Sequence, residues 1–301
     1  MMAGAPAGPV VAGVDGSPSS MVAAGHAAAI AHTRGVPLRL VHGYLHPRGY
    51  GSAPLEPYQG YPPPPPPHGE VMLDDLSSRL RGTYPGLDVT HKQLLGGGAA
   101  TLVDESGRAR LLVVGSRGHG GFAGLLLGSV SAQVVAHARC PVLVVRPPEP
   151  SGPAEVAEPA RDAPVTVGVD GSPGGTAALA HAAAEAAVRD RSLLVVTAGA
   201  PGTADEVRAA ESLLARAVDE VRAAHPGLPV EGRLWRSDHA GTGLIEASRT
   251  SALVVVGSRG RGGFAGLLVG SVSQALVHHA HCPVLVIPPG VHPPARPPPP
   301  A

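Results

Sequence analysis

The stretch Gly115-Ser-Arg-Gly118-His-Gly-Gly-Phe-Ala-Gly-Leu-Leu-Leu-Gly128-Ser129-Val-Ser131 occurs twice in this chain, and its second copy reads Gly257-Ser-Arg-Gly260-Arg-Gly-Gly-Phe-Ala-Gly-Leu-Leu-Val-Gly270-Ser271-Val-Ser273. An apolar, β-branched segment precedes each copy, and a helical pattern follows, from Val130 to Ala138 and from Val272 to Ala280. The repeated unit is therefore strand, glycine-rich loop and helix. Glycines let backbone N–H groups turn inward, and a helix start offers unpaired donors at the positive end of its dipole. The stretch predicts a phosphate site in each copy.

Length, charge and cysteine content limit the class of protein. The 301 residues suggest two domains, and 23 basic residues balance 23 acidic ones. Proteins that bind nucleic acid usually carry a basic excess or stripe, so we expect no nucleic-acid partner. No apolar run approaches the roughly 20 residues that span a bilayer, and no signal-peptide pattern opens the chain. We therefore expect a soluble, cytoplasmic protein with no membrane partner. Cys140 and Cys282 are too few for a disulfide framework and are expected to be buried apolar residues.

Each glycine-rich stretch closes a longer repeat. The first repeat opens with a short apolar strand ending in Asp15-Gly16-Ser17-Pro18, and the second with one ending in Asp170-Gly171-Ser172-Pro173. The serine can cap the following helix, with proline in its first turn. Periodicity predicts β-α-β-α-β-α-β-α-β in each half, which indicates a parallel sheet covered by helices on both faces.

These patterns divide the chain into two domains, 9–147 and 164–289, joined by a linker at 148–163 and followed by an unstructured tail at 290–301. The first domain carries an insert at 46–68 that contains a polyproline run, which favours an extended chain. A surface loop is the favoured interpretation of the insert. A docking segment for a proline-recognising partner and a shield over the nearby site are the alternatives.

In a parallel α/β sheet, ligands sit beyond the carboxyl ends of the strands, near the point where strand order reverses. Asp15 and the Gly115 loop both follow strand ends, as do Asp170 and the Gly257 loop. We therefore expect each pair to meet in one crevice, although about a hundred residues separate its members.

Three familiar phosphate or hydrolase motifs do not fit these loops. A P-loop needs a lysine, and neither glycine loop has one. A dinucleotide fold places its glycines after the first strand, where this chain has Asp-Gly-Ser-Pro. A serine-hydrolase elbow needs Gly-x-Ser-x-Gly, whereas Ser129 and Ser271 lie in Gly-Ser-Val-Ser.

What does fit is Gly-x-x-Gly, nine residues, then Gly-Ser, together with the Val-Asp-Gly-Ser turn and a closing Cys-Pro-Val-Leu-Val strand, all present twice. In these motifs the chain resembles the ATP-binding branch of the universal stress protein family, over both halves and outside the insert, linker and tail. The resemblance implies two tandem Rossmann-like domains of the adenine-nucleotide α-hydrolase-like type, each with a five-stranded parallel sheet. It also implies ATP as the ligand, one per domain.

The resemblance assigns roles at matched positions. The residues expected beside the nucleoside are Val14, Asp15, Val41 and Gly43 in the first half, and Val169, Asp170, Val196 and Ala198 in the second. Those expected beside ribose and phosphates are Gly115, Arg117, Gly118, Gly128, Ser129, Val130 and Ser131, with Gly257, Arg259, Gly260, Gly270, Ser271, Val272 and Ser273 as counterparts. Arg117 and Arg259 either clamp phosphate or pair with a carboxylate. Hydroxyl and amide donors tolerate a polyanion without lysine, and a Mg²⁺ ion bound with ATP can offset its charge.

The two halves differ in several places that bear on their sites. His119 and Arg261 occupy the same position in the two loops, so the sites can differ in affinity or phosphate preference. Only His278 and His281 of a histidine cluster are expected to share a helix face, and a solvated helix end is favoured there over a metal site.

Three functions follow from these motifs. The first is a nucleotide-dependent stress regulator that signals through unidentified protein partners. The second is an enzyme, either an ATPase or a kinase-like transferase, for which only slow turnover is expected because no dedicated base accompanies the two aspartates. The third is an interaction scaffold that needs no nucleotide. The apolar closing strands run from Pro141 to Val145 and from Pro283 to Ile287, and as sheet edges they must be covered. We expect them to pair with each other within the chain, and association of two chains into a homodimer is a further possibility.

Overall fold

The structure is a computed structural model that describes residues 8–45, 66–118, 127–146, 160, 162–199, 202–261, 269–291 and 293. Most of the predicted insert, linker and tail therefore lies outside the described residues, as does His119. Within the described ranges, no helix has the length and apolar character needed to cross a membrane.

The first half alternates strands and helices in the predicted order. Its elements are β1 Val10–Gly13, α1 Pro18–Thr33, β2 Leu38–Tyr44, α2 Pro67–Thr83, β3 Val89–Leu95, α3 Gly98–Ser106, β4 Leu111–Gly115, α4 Ser129–His137 and β5 Val142–Val145. The second half repeats the order with β6 Val165–Gly168, α5 Pro173–Val188, β7 Leu193–Gly199, α6 Ala204–Ala224, β8 Val230–Arg236, α7 Ala240–Ala247, β9 Leu253–Gly257, α8 Ser271–His279 and β10 Val284–Ile287.

The strands of both halves form one ten-stranded sheet in the order β3-β2-β1-β4-β5-β10-β9-β6-β7-β8. Every pairing within a half is parallel, as the fold class required. The closing strands β5 and β10 pair with each other antiparallel, with Leu143 opposite Leu285. The predicted intramolecular pairing is therefore present, and it covers the apolar edge of each half with the other.

Strand side chains alternate between the two faces and build one core on each. Val10 and Ala12 belong to the core under α1 and α2, whereas Val11 belongs to the core under α3 and α4. Each core contains residues from both halves, so burial is continuous across the junction. Helices α1 and α5 bury mainly alanines, whose small side chains allow close approach to the sheet. Of the two cysteines, Cys140 is buried and Cys282 is half-buried, and burial raises the pKa of each thiol to about 12.

Charged groups also join the halves. Arg34, just after α1, forms an ion pair with Glu185 of α5, which also pairs with Arg189, the residue directly after α5. Burial alone would raise the pKa of Glu185, but the charges of Arg34 and Arg189 outweigh it and hold that pKa below its ordinary value. Arg146 of the first half donates to the carbonyl oxygens of Val277 and His278 at the end of α8.

Several predicted boundaries shift in the structure. Helix α2 already begins at Pro67, so the last residues of the predicted insert belong to that helix. Helix α8 ends at His279, which places His281 beyond it, and the expected helix face shared with His278 is wrong. Val291, assigned to the tail, packs against the core, and Ala163, assigned to the linker, is buried. Periodicity marks which residues face a core but carries little information on where the chain leaves an element.

Candidate functional site

The predicted residues meet at the carboxyl ends of β1 and β4 in the first half, and of β6 and β9 in the second. These strands are direct neighbours in the sheet, and β1 separates β2 from β4, so the site lies where strand order reverses. In the second half the strand ends border a crevice of about 870 Å³. Asp170, Gly260, Gly270 and Ser271 all line it.

The turn after the first strand is set by its own sequence. Gly16 and Gly171 have φ of 86° and 77°, a left-handed backbone that favours glycine. Ser17 and Ser172 cap α1 and α5 by accepting from the N–H three residues on, which confirms the predicted caps. Each serine also donates its hydroxyl to Oδ1 of the preceding aspartate, at 2.6 Å for Asp15 and 2.5 Å for Asp170.

The aspartate also fixes the glycine-rich loop. A Cβ built on Gly118 would overlap Oδ2 of Asp15, and a Cβ on Gly260 would lie 2.5 Å from Oδ2 of Asp170. In the second half the Arg261 N–H donates to that Oδ2 at 2.8 Å. Gly118 and Gly260 are therefore needed because a carboxylate occupies the space of a side chain.

The charge state of Asp170 follows from these contacts. Burial would raise the pKa of Asp170, but hydrogen bonds from Ser172 and from the Arg261 N–H, with the Arg261 charge, hold it below its ordinary value. The carboxylate is ionised at neutral pH and can only accept hydrogen bonds.

Gly115 and Gly257 are required by packing against a helix. A Cβ on Gly115 would lie 2.5 Å from Ser19 Oγ and 2.7 Å from its carbonyl carbon, in the first turn of α1. A Cβ on Gly257 would lie 2.7 Å from the carbonyl carbon and oxygen of Gly174 in α5. These glycines let the end of β4 or β9 approach a helix, so the fold itself explains them, although Gly257 also borders the crevice.

Gly128 and Gly270 behave differently. Both have extended backbones, with φ of −73° and −72°, which any residue adopts. Among the described residues, no atom would lie closer than 3.5 Å to a Cβ on either glycine, an ordinary van der Waals contact. Neither backbone conformation nor packing against that part of the chain therefore requires glycine at these two positions.

The two glycines are the N-caps of α4 and α8. A glycine has no side chain to cap a helix, so the first backbone N–H groups, at Ser129, Val130 and Ser131 in α4, have no side-chain cap. Ser129 is exposed, whereas the Ser131 hydroxyl donates to the Gly115 carbonyl at 2.6 Å. Ser273 does the same to Gly257. The side chains of Ser131 and Ser273 are thus committed within the protein, and their predicted part can only be played by backbone.

At the other end of the crevice the second strand supplies the wall. The N–H of Val14 donates to the Val41 carbonyl, and that of Val169 donates to the Val196 carbonyl, each at 2.9 Å. Nδ1 of the adjacent His42 lies 2.7 Å from the carbonyl oxygen of Val14. In the second half, the Thr197 hydroxyl donates to the carbonyl oxygen of Val169 at 3.2 Å. The prediction for these strand ends concerned backbone groups only, so it gave no role to the side chains of His42 and Thr197.

Gly43 and Ala198 occupy equivalent positions in the two halves, and each half avoids a steric clash between strand and helix in a different way. A Cβ on Gly43 would lie 2.6 Å from Thr101 Oγ1 in α3. In the second half the strand carries Ala198, and the facing helix residue is Gly243, whose Cβ would lie 3.1 Å from the Ala198 Cβ. One small residue is needed at this contact, and either element can supply it.

Helix α6 adds residues to the crevice that sequence reasoning missed. Glu206, Leu213 and Arg216 line it together with Arg259 and Arg261. Glu206 completes a capping box with Thr203, so its carboxylate is engaged at the helix start. Periodicity cannot show that one flank of a helix borders a cavity.

Comparison with known proteins agrees with this duplicated arrangement. The sequence pattern of the "Universal stress protein family" matches residues 7–146 and 163–288. The chain is 35% identical to universal stress protein Rv2623 of Mycobacterium tuberculosis, over 92% of this chain and 95% of that protein. A universal stress protein from Archaeoglobus fulgidus shares the fold, with a TM-score of 0.67, 18% identity and coverage of 94% and 96%. A structure from Archaeoglobus fulgidus in complex with dAMP is 25% identical and covers 42% of this chain and 97% of its own, with a TM-score of 0.36.

Proposed function

The chain belongs to the universal stress protein family, and from that premise we propose that it is a regulatory protein that binds one ATP in each half. The observation that carries the proposal is the pair Gly128 and Gly270. Their backbones are open to any residue, and a Cβ would meet no obstacle among the residues that the structure describes. A ligand that approaches the backbone closely explains why both copies nevertheless keep glycine.

The phosphate end of the proposed ligand lies at the start of α4 or α8. The uncapped N–H groups of Ser271, Val272 and Ser273, with the Ser271 hydroxyl, supply donors at the positive end of a helix dipole. The side chain of Val130 lies over α3, where a Cβ built on Gly98 would be 3.6 Å from it, so Val130 offers its backbone to the ligand. Such donors hold phosphate oxygens without a lysine.

The nucleoside end lies beside Asp170, in the same crevice. An ionised carboxylate repels phosphate and accepts hydrogen bonds from ribose hydroxyls or an amino group. The walls here are apolar, with Val169, Val196 and Leu244 among the lining residues. This end of the crevice fits a nucleoside whose flat base packs between the apolar walls and whose ribose hydroxyls donate to the carboxylate.

Charge on a triphosphate is offset here by guanidinium groups. Arg216, Arg259 and Arg261 line the crevice of the second half. The two lining carboxylates, Asp170 and Glu206, already accept hydrogen bonds from the protein. A Mg²⁺ ion brought with ATP would therefore be held chiefly by phosphate oxygens and water.

The same contacts favour binding over turnover. Both carboxylate oxygens of Asp170 accept hydrogen bonds, and its lowered pKa makes it a weak base. We propose that hydrolysis, if it occurs, is slow, and that the bound nucleotide controls contacts with protein partners.

The test combines three measurements on the full chain. Protein purified without added nucleotide is denatured and its released ligands are identified by mass spectrometry. ATP is titrated calorimetrically with and without Mg²⁺, and phosphate release is followed over hours. We expect a stoichiometry of two, with release far slower than binding. Rapid release would make the protein an ATPase, and absence of binding would leave a nucleotide-independent scaffold.

A further inference from the structure

We propose that Glu70, Asp74 and His91 form a binding site for a divalent ion of the Zn²⁺ class in the first half. This site lies between α2 and the edge strand β3 and does not depend on the nucleotide proposal. Glu70 and Asp74 stand one turn apart on α2, so their side chains share a face. His91 projects toward them from β3.

The spacing of the three groups suits a single ion. His91 Nε2 lies 3.2 Å from Glu70 Oε1 and 3.6 Å from Asp74 Oδ1, and one atom of each side chain lies within 4.8 Å of the others. Ligands about 2.1 Å from a tetrahedral ion are roughly 3.4 Å apart. The imidazole and carboxylates are a ligand set that zinc accepts, and the exposed acids leave further positions open to water.

A buried hydroxyl orients the imidazole. Ser77, which is fully buried, places Oγ 3.2 Å from His91 Nδ1. When Nδ1–H donates to that hydroxyl, the lone pair of Nε2 faces the two carboxylates. Histidine ligands of metals characteristically have their second nitrogen held in this way.

The duplicated half shows that the fold does not require this polar set. His91 is the third residue of β3, opposite Leu40, and Gly232 is the third residue of β8, opposite Val195. A Cβ on Gly232 would lie 3.1 Å from Val218 Cγ2 and 3.6 Å from Leu214 Cβ. The same helix–strand contact is thus apolar in the second half.

The charges also call for a cation. With His91 as an uncharged metal ligand, the two carboxylates would give the ligand set a charge of about −2, and among described residues His91 is the only basic side chain within ion-pair distance of Glu70 or Asp74. Lys92, the next residue along β3, points to the other face and pairs with Glu105. A divalent ion would neutralise the cluster.

The experiment titrates Zn²⁺ calorimetrically into chelator-treated full-length protein without nucleotide, and repeats it with Co²⁺ to record a ligand-field spectrum. The variants are His91→Ala and the double variant Glu70→Gln with Asp74→Asn, whose exposed positions leave folding intact. The matched control, Asp219→Asn with Glu220→Gln, removes the same charge from α6. Ser77→Ala tests the orienting hydroxyl.

We expect the wild type and the α6 control to bind one more tight Zn²⁺ than His91→Ala or the Glu70/Asp74 double variant. Ser77→Ala should keep that site with roughly 10- to 100-fold weaker affinity. Gly270→Ala should leave it unchanged, which separates this site from the nucleotide crevice. Equal stoichiometry and affinity in the wild type and the Glu70/Asp74 double variant would overturn the proposal and leave the three residues as a solvated ion pair.

Discussion

Replacing Gly128 and Gly270 together by alanine should remove nucleotide binding without weakening the fold. Two opposing effects act on stability. Alanine restricts the unfolded chain, which stabilises the protein by about 0.4–1 kcal/mol per site. Alanine is also a poorer N-cap than glycine, which costs up to about 1 kcal/mol. Because the added Cβ would meet no described atom closer than 3.5 Å, packing adds little, and the free energy of unfolding should change by less than about 1 kcal/mol per site.

The expected loss of affinity is larger. A Cβ at the N-cap would keep phosphate from the uncapped N–H groups of α4 and α8. Each hydrogen bond to a charged group contributes about 1.5–3 kcal/mol, so two lost bonds weaken binding by at least about 3 kcal/mol, which is roughly a hundredfold or more. Calorimetric titration of ATP measures the affinity, and thermal unfolding without ligand measures the stability.

The matched comparison is Gly115→Ala with Gly257→Ala, at the ends of β4 and β9 that lead into the same two loops. Here the new Cβ would lie 2.5 Å from Ser19 Oγ, or 2.7 Å from the backbone of Gly174. Overpacking of this kind costs about 1–3 kcal/mol per site, and it should lower the unfolding temperature by several degrees. The reasoning is refuted if Gly128→Ala with Gly270→Ala is equally destabilised, or if it retains wild-type affinity for ATP.

Further predictions concern the ligand and the junction. Ser129→Ala and Ser271→Ala should each weaken ATP binding at their own site by about 1 kcal/mol, or several-fold, while leaving the affinity for adenosine unchanged. If neither variant changes the affinity for ATP, the phosphates lie elsewhere. Asp170→Asn should weaken the binding of adenosine and of ATP in the second half by the same factor, because the lost acceptor faces the nucleoside. Calorimetric titration with both ligands measures this. Glu185→Gln should destabilise the protein by about 3 kcal/mol because Arg34 stays largely buried without its partner. Since the folded pKa of Glu185 is lowered, its stabilisation is complete above the unfolded pKa and is lost as pH falls through the folded value, so unfolding temperatures of wild type and variant should converge in acid.

Much of the candidate site was readable because its determinants are local. The Asp-Gly-Ser-Pro turn combines a left-handed glycine, a serine cap and a proline in the first helical turn, all within four residues. The sequence also predicted that Asp15 and Gly118 lie close together, because both follow strands whose carboxyl ends meet at the same edge of a parallel sheet. Their contact is in the structure, where a Cβ on Gly118 would overlap the carboxylate.

Other features depended on neighbours far along the chain. From the motif, Gly115 and Gly128 were predicted to have the same role. The position of Ser19 in α1 shows instead that packing requires glycine at 115. The crevice residues of α6 and the contact of His91 with Glu70 could not be foreseen either. Each requires knowing how a helix is rotated and translated against its strand.

The amino-acid sequence by itself determined the order of elements, the duplication, the turns and caps, and the end of the sheet at which the site lies. These depend on periodicity, on left-handed glycines and on hydrogen bonds between residues a few positions apart. The tertiary structure alone decided which glycines packing requires, how Arg34 and Glu185 join the halves, and where an imidazole meets two carboxylates. Those outcomes follow from distances between elements, which are fixed by side-chain volumes packed from both ends of the chain and are not encoded in any single stretch.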